Sequence, residues 1–201
     1  MKSWVWIAVI IFCSILVVGV LFQFYPRSEE QYLAMGILGK NQTANNYFPN
    51  GTSTIEPGTI IRWYLYIYNH MVVTKNISMK VKLLNSALPG PNDTSREPSP
   101  TPSFLDINQR LAPNETRILP FTFIISEAAV VNASDRYVRI MAIQVNNVTT
   151  PVDMTALEDQ SFRFVFELWS YDEKLGVYVY SWTSNEGQKP VWIQMWFNLV
   201  I

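Results

Sequence analysis

Alternation of apolar and polar residues runs through most of the chain after residue 25, and it constrains the fold more than any other feature. In the segment 59–69, Trp63 and Leu65 lie on one side of an extended strand and Tyr64 lies on the other. A period of two predicts β-strands, and the 3.6-residue period of an amphipathic helix is not found in this part of the sequence. The sequence therefore predicts an all-β fold after residue 25.

Eight segments carry this alternation, and turn residues such as Glu56-Pro57-Gly58 and Asn185-Glu186-Gly187 separate them. The segments span residues 32–39, 59–69, 79–83, 117–125, 137–145, 161–171, 176–183 and 191–200. This number of strands predicts an immunoglobulin-like β-sandwich of about eight strands, with a barrel as the less favoured alternative. Long loops are expected at 85–103, which is rich in proline, and at 146–160.

The segment 4–25 is a continuous apolar run without Asp, Glu, Lys or Arg. As a helix it extends about 33 Å, which matches a hydrocarbon core of roughly 30 Å. A cleaved signal peptide is the alternative, but its apolar core is about 7–15 residues long and ends at small residues. This run is longer and ends in Leu21–Phe24. The sequence therefore predicts a signal anchor and transmembrane helix over residues 1–25, and one β-sandwich domain over residues 26–201.

Asn-x-Ser/Thr acceptor tripeptides are more frequent than the composition gives by chance, and they indicate N-glycosylation. Their asparagines are Asn41, Asn50, Asn76, Asn92, Asn114, Asn132 and Asn147. Glycosylation requires an extracytoplasmic domain, and a thin excess of positive charge at Lys2 and the amino terminus favours the same orientation. We expect a single-pass protein of the cell membrane with its C-terminal domain outside.

Cys13 is the only cysteine and lies inside the apolar run, so the domain that follows can form no disulfide. Secreted animal domains of this size more often carry disulfides. A membrane-anchored domain that is rich in acceptor tripeptides and lacks cysteine fits an archaeal cell envelope best.

Residues suited to catalysis or metal binding are few. His70 is the only histidine, and without a Gly-x-Ser-x-Gly motif we interpret it as a hydrogen-bonded turn residue rather than a catalytic base. Zinc and copper sites need clustered His and Cys. Asp153, Glu158–Asp159 and Asp172–Glu173 carry oxygen ligands suited to calcium but lack the spacing of a calcium loop.

Glu167 interrupts an apolar strand, and a glycosidase would need a second carboxylate facing it. Glu167 lies on the opposite face of that strand from the phenylalanines, and we interpret it as paired with a cationic neighbour such as Arg163. The net charge of −1 shows no excess of the positive charge that proteins use to bind nucleic acid. The sequence thus predicts a protein that is not an enzyme and has no metal site and no cofactor.

The last predicted strand is apolar on both faces, and residues 151–201 contain no acceptor tripeptide. Its second face carries Trp192, Gln194, Trp196 and Asn198. A central strand, or long loops folded over this face, would account for the pattern. The alternative is a glycan-free aromatic surface that docks a protein partner.

Two further aromatic sets each share one strand face, and both are candidate platforms for stacking sugars. They are Tyr64, Tyr66 and Tyr68, and Tyr178, Tyr180 and Trp182. Cross-strand aromatic packing explains the same pattern without a ligand.

Several short motifs together resemble an uncharacterised archaeal family of membrane-anchored, extracytoplasmic immunoglobulin-like domains of CARDB-like type. The motifs are Ile37-Leu38-Gly39-Lys40, Asn46-Tyr47-Phe48-Pro49, Glu56-Pro57-Gly58, Tyr68-Asn69-His70, Phe166-Glu167-Leu168-Trp169, Tyr180-Ser181-Trp182 and the stretch 191–198. Met71 departs from the pattern, in which an acidic residue follows the Asn-His pair. The resemblance implies an archaeal envelope location, a β-sandwich and an unknown function, with no catalytic residue to carry over.

These observations predict a non-enzymatic membrane glycoprotein of the cell envelope that acts as a scaffold, an adhesion module or an accessory subunit. Its expected partners are the membrane and another envelope protein. The alternative is a carbohydrate-binding module for envelope polysaccharide.

Overall fold

In the computed structural model, the chain forms two compact units, Met1–Glu30 and Gln31–Ile201. The structure describes residues 31–201 except 133, 135, 136, 158–160, 185 and 186, together with Trp4, Ile7, Ile11, Phe12 and residues 14–17. The described residues of the first unit are helical. Among all described residues, no helix is both long and apolar enough to span a membrane. Most of the predicted span, residues 4–25, lies outside the described residues.

The second unit is built from thirteen strands among its described residues. They are β1 (Tyr32–Leu38), β2 (Thr54–Ile55), β3 (Ile61–His70), β4 (Lys75–Asn85), β5 (Leu105–Leu111), β6 (Thr116–Asn132), β7 (Tyr137–Val145), β8 (Val148–Leu157), β9 (Phe162–Asp172), β10 (Val177–Tyr180), β11 (Trp182–Ser184), β12 (Gly187–Lys189) and β13 (Trp192–Leu199). The all-β prediction is confirmed.

Two sheets make up the sandwich. The first sheet has the order β1-β3-β6-β7-β8, and the second has the order β2-β13-β9-β4-β5, with β10 also paired to β9. The chain crosses between these two sheets from β1 to β2, from β2 to β3, from β3 to β4, from β5 to β6 and from β8 to β9. The pairing of β3 with β6 in one sheet, and of β4 and β13 with β9 in the other, is the arrangement of an immunoglobulin-like sandwich.

Each of the eight predicted strands is present, but the structure adds others. The predicted loop 146–160 is wrong, because β8 occupies most of it and pairs with β7. β5 was not predicted at all. The predicted strand 176–183 is two strands, because Ser181 adopts a left-handed conformation with φ of 87° between β10 and β11. The predicted proline-rich loop 85–103 is confirmed except for Asn85, which ends β4; the connection between β4 and β5 spans residues 86–104.

Trp63 lies at the centre of the core between the sheets and is fully buried. Its ring packs edge-on against Phe123 at 4.8 Å and Phe164 at 5.9 Å between centroids. Its Nε1 donates a hydrogen bond of 2.7 Å to the carbonyl oxygen of Tyr47, so the polar end of the indole is satisfied. The inward-facing residues of the predicted alternation therefore form one aromatic core.

Candidate interaction surface

The last strand carries the residues predicted to contact a partner. β13 pairs antiparallel with β9, and Ile193, Met195, Phe197 and Leu199 pack into or against the core. Trp192, Gln194, Trp196 and Asn198 alternate with them and therefore lie on the outward face of the second sheet. Of these four, only Trp196 is exposed, at 38% of its surface.

The segment 86–104 folds over this outward face and is held there by hydrogen bonds to side chains of the sheet. Trp192 Nε1 donates to Asp93 Oδ1 at 2.7 Å, and Arg163 Nη2 donates to the carbonyl oxygen of Leu88 at 2.7 Å. The backbone N–H of Ser99 donates to Glu167 Oε1 at 2.8 Å. Coverage by a long loop therefore explains much of the apolar character of the outward face.

Beneath this segment, Lys82 and Glu167 form a buried ion pair. The Lys82 Nζ to Glu167 Oε2 distance is 2.8 Å, and the two side chains are 5% and 0% exposed. Lys82 also donates to the carbonyl oxygen of Ser99 at 2.6 Å, and Trp169 Nε1 donates to Glu167 Oε2 at 3.1 Å. Glu167 pairs with a cationic neighbour, as predicted, but the cation is Lys82 on the adjacent β4 and not Arg163.

The hydroxyl of Tyr180 lies in the same buried region. Burial raises the pKa of Tyr180 above the normal value, and the negative charges of Glu167 and Asp93 raise it further. Its oxygen has no hydrogen-bond partner among the described residues. Tyr180 therefore stays a neutral phenol at physiological pH.

Arg163 supports the exposed Trp196. Its guanidinium lies 4.6 Å from the centre of the indole ring, and Nη1 donates to Gln194 Oε1 at 2.7 Å. Burial lowers the pKa of Arg163, but an arginine stays charged at neutral pH. The Trp196 ring thus rests on a fixed cation and keeps 38% of its surface exposed. Val200 and Ile201, at 42% and 49% exposure, follow it in the chain.

The other two predicted contact residues have partners within the domain. Asn198 Oδ1 accepts a hydrogen bond of 2.7 Å from Ser161 Oγ, and Trp192 is held by Asp93 as described. The structure therefore places all four predicted residues on one face but leaves only the Trp196 end of that face open.

Six of the seven acceptor asparagines are exposed. Asn41, Asn50, Asn76, Asn92, Asn114 and Asn147 are all exposed, and Asn132 ends β6. Asn92 precedes Asp93, the hydrogen-bond acceptor of Trp192. The absence of acceptors from residues 151–201 therefore does not make the outward face of β13 glycan-free, because the segment 86–104 brings Asn92 onto it.

The two candidate sugar platforms differ in exposure. Tyr180 and Trp182 are buried, at 7% and 6%, so the second set cannot stack an external sugar. Tyr64, Tyr66 and Tyr68 lie half-buried on the outward face of β3. Their neighbours on β1 include the small residues Ala34 and Gly36. Of the two sets, only Tyr64, Tyr66 and Tyr68, called the tyrosine row below, are accessible to a ligand.

The residues considered as candidate catalytic or metal-binding groups form hydrogen bonds within the domain. His70 Nδ1 lies 2.7 Å from the Tyr68 hydroxyl, which agrees with the prediction of a hydrogen-bonded residue. Asp153 binds Arg139 through two hydrogen bonds of 2.8 and 2.9 Å. Asp172 Oδ1 accepts the backbone N–H groups of Lys174 and Leu175. Within the described part of the chain no three His, Cys, Asp or Glu residues are grouped as metal ligands.

Sequence reasoning missed Lys82, Ser99 and Asp93. The pairing of Lys82 with Glu167 could have been predicted, because each lies within an apolar strand and a buried charge needs a partner of opposite charge. The loop contacts had no such signal, because nothing in the spacing joins residue 93 to residue 192.

The chain matches no known protein family and no curated protein. Among solved structures it is similar to the CARDB domain of the PF1109 protein from Pyrococcus furiosus in complex with di-metal ions, with a TM-score of 0.40, 9% identity, and coverage of 86% of this chain and 90% of that domain. It is also similar to a β-glucosidase from Listeria innocua in complex with gluconolactone (TM-score 0.38, 10% identity, 87% and 17% coverage). A third neighbour is the β-D-glucoside glucohydrolase from Trichoderma reesei (TM-score 0.32, 11% identity, 85% and 19% coverage). This chain spans less than a fifth of the length of either glucosidase, and the immunoglobulin-like assignment rests on the strand pairing described above.

Proposed function

We propose that the protein is a single-pass, non-enzymatic glycoprotein of an archaeal cell envelope, anchored by residues 4–25. Its extracytoplasmic sandwich serves as a scaffold, an adhesion module or an accessory subunit of a membrane complex. The apolar run and the exposure of six acceptor asparagines support this proposal. Exposed asparagines can carry glycans without loss of the folded domain.

The partner surface is the open end of the outward face of β13, centred on Trp196. The observation that carries this proposal is the support of its ring by Arg163 at 4.6 Å. Tryptophan and arginine are the residues most enriched among energetic hot spots of interfaces. A ring held in place before binding loses little side-chain entropy on association.

A glycan placed on this surface tests the proposal. The double variant Gln194→Asn, Trp196→Thr creates an acceptor at position 194 in the full-length protein. On native gels of detergent-extracted membranes, we expect the wild-type protein to run with a partner and the double variant to run alone. The matched control is Arg110→Thr, which creates an acceptor at the exposed Asn108 on the edge strand β5. Association that persists with the glycan on position 194 contradicts this surface.

A carbohydrate-binding module is the second candidate, and the exposure of the tyrosine row favours it. Tyr66 and Tyr68 lie opposite the small residues Gly36 and Ala34 on β1, and Tyr32 packs edge-on against Tyr68 at 6.0 Å between centroids. Sugar rings stack their apolar faces on such aromatic side chains. Binding of oligosaccharides by the full-length protein, lost in Tyr66→Ala, is the expected result.

A further inference from the structure

A cavity of about 390 Å³ lies where the connection between β1 and β2 meets the start of β3. Lys40, Asn41, Asn46, Tyr47 and Arg62 are among the residues that line it. Small-ligand sites have volumes of about 300–1,000 Å³, so the cavity is large enough for a ligand of modest size.

The charge of this cavity differs from that of the chain as a whole. Lys40 and Arg62 are both exposed and line the same space, and its described lining includes no carboxylate. Neither cation forms an ion pair in the described part of the chain. The chain as a whole has a net charge of −1. The cavity therefore offers two uncompensated positive charges to a ligand.

The wall of the cavity is attached to the core. Tyr47 accepts the hydrogen bond of the buried Trp63 through its carbonyl oxygen at 2.7 Å, and the Phe48 ring packs edge-on against Trp63 at 5.8 Å. At the other end of the connection, the Gly39 N–H donates to the carbonyl oxygen of Thr43 at 2.8 Å. A Cβ at Gly39 would clash with the backbone oxygens of residues 45 and 46, so only glycine allows this close approach. The cavity is thus formed before any ligand binds.

Aromatic and amide groups line the cavity beside the two cations. Tyr47 and Phe48 are half-buried, and Asn41 and Asn46 supply amides that can bind hydroxyl groups. Arg62 shares the outward face of β3 with the tyrosine row, so the cavity and the row adjoin along one strand.

We propose that this cavity binds an anionic sugar residue. Lys40 and Arg62 hold its carboxylate or sulfate group, and the tyrosine row stacks the neighbouring sugars of the same chain. The proposal names the ligand class for the second candidate function and rests on that function. The sugar belongs to an envelope polysaccharide or to the protein's own glycan at Asn41, and the chemistry of recognition is the same.

Calorimetric titration of the full-length protein in detergent tests this proposal. The probes are tetragalacturonate, a sulfated tetrasaccharide, and the methyl ester of tetragalacturonate, which has the same shape without the charge. We expect the ester to bind at least about tenfold more weakly than the acid. Lys40→Gln and Arg62→Gln should each weaken binding of the acid by about tenfold, whereas the control Arg110→Gln on β5 should not.

The variant Thr43→Ala removes the acceptor tripeptide of Asn41 without changing a residue that lines the cavity, and it distinguishes the two sources. If the protein's own glycan occupies the cavity, its removal strengthens binding of the added acid; if the ligand is a separate polysaccharide, the affinity does not change. Equal binding of acid and ester, lost in Tyr66→Ala but kept in Lys40→Gln and Arg62→Gln, overturns the anionic site and leaves carbohydrate binding intact. Absence of binding by all three probes overturns both.

Discussion

The two outward faces of the sandwich have similar alternation in the sequence but different surroundings in the structure. On the second sheet, Lys82, Leu84, Val165 and Glu167 are buried, and the segment 86–104 binds several side chains of that face. On the first sheet, Tyr64, Tyr66 and Ile118 remain partly or largely exposed. The comparison teaches that strand alternation specifies the inward core, whereas a connecting segment decides whether the outward face becomes a second buried layer.

The largest effect is expected from the buried ion pair of the covered face. Glu167→Leu leaves the Lys82 ammonium buried without a counter-charge and should lower the free energy of unfolding by about 3–5 kcal/mol. The double variant Lys82→Met, Glu167→Leu should recover most of the loss, because it leaves no buried charge. Urea denaturation measures both. A cost for Glu167→Leu no greater than that of Asp153→Ala, in the exposed pair with Arg139, would falsify this account.

Truncation of an aliphatic side chain on each face gives the next contrast. Leu84 on the covered face is 0% exposed, and Ile118 on the open face is 41% exposed. Leu84→Ala should cost about 2–5 kcal/mol of unfolding free energy. Ile118→Ala should cost about 1 kcal/mol or less, because its side chain is already largely in water. Similar costs at the two positions would show that the faces do not differ as described.

Loss of one hydrogen bond that holds the segment 86–104 on the sheet should change the free energy of unfolding less than the core substitutions do. Asp93→Ala removes the acceptor of Trp192 Nε1 and should destabilise the protein by about 0.5–1.5 kcal/mol. Hydrogen exchange should become faster in residues 91–98 and stay unchanged in β3. Asp106→Ala on the exposed edge strand β5 is the control. Unchanged exchange in the segment would mean that this contact does not hold it.

The smallest effects concern two exposed carboxylates. The backbone N–H of Ala112 and then Arg117 lower the pKa of Glu115, and Arg139 lowers the pKa of Asp153. Their contribution to stability is therefore present above the unfolded-state values of 4.5 and 3.8 and is lost as the pH falls through the lower folded-state values. Thermal melting of Glu115→Gln and Asp153→Asn should differ from wild type at pH 7, and the difference should disappear at acidic pH once both carboxylates are protonated in the folded protein. If the difference in melting temperature between variant and wild type does not change with pH, the ionised carboxylates do not stabilise the folded protein.

The regular strands could be predicted because their inward residues obey a period of two. β3 and β13 are examples, and their bounds differ from the predicted ones by one or two residues. β8 could not be predicted, since Pro151 and its polar neighbours resemble a loop, and the strand is tolerated because it lies at a sheet edge.

The candidate surface could be predicted only in part. Alternation placed Trp192 and Trp196 on one face, but it could not show that Asp93 holds one ring while the other stays exposed. Such contacts join residues far apart in the chain, and local patterns carry no information about them. The cavity beside Lys40 and Arg62 was missed for the same reason, because it forms only where the β1–β2 connection meets β3.

The most direct test of the proposed function is the intact mass of the full-length protein isolated from native membranes, with the glycopeptides mapped on the same sample. We expect a mass above the 23.2 kDa of the unmodified chain, glycans on exposed asparagines such as Asn76 and Asn114, and retention of residues 4–25. An unmodified mass of 23.2 kDa would contradict an extracytoplasmic glycoprotein, and loss of the N-terminal run would contradict the anchor.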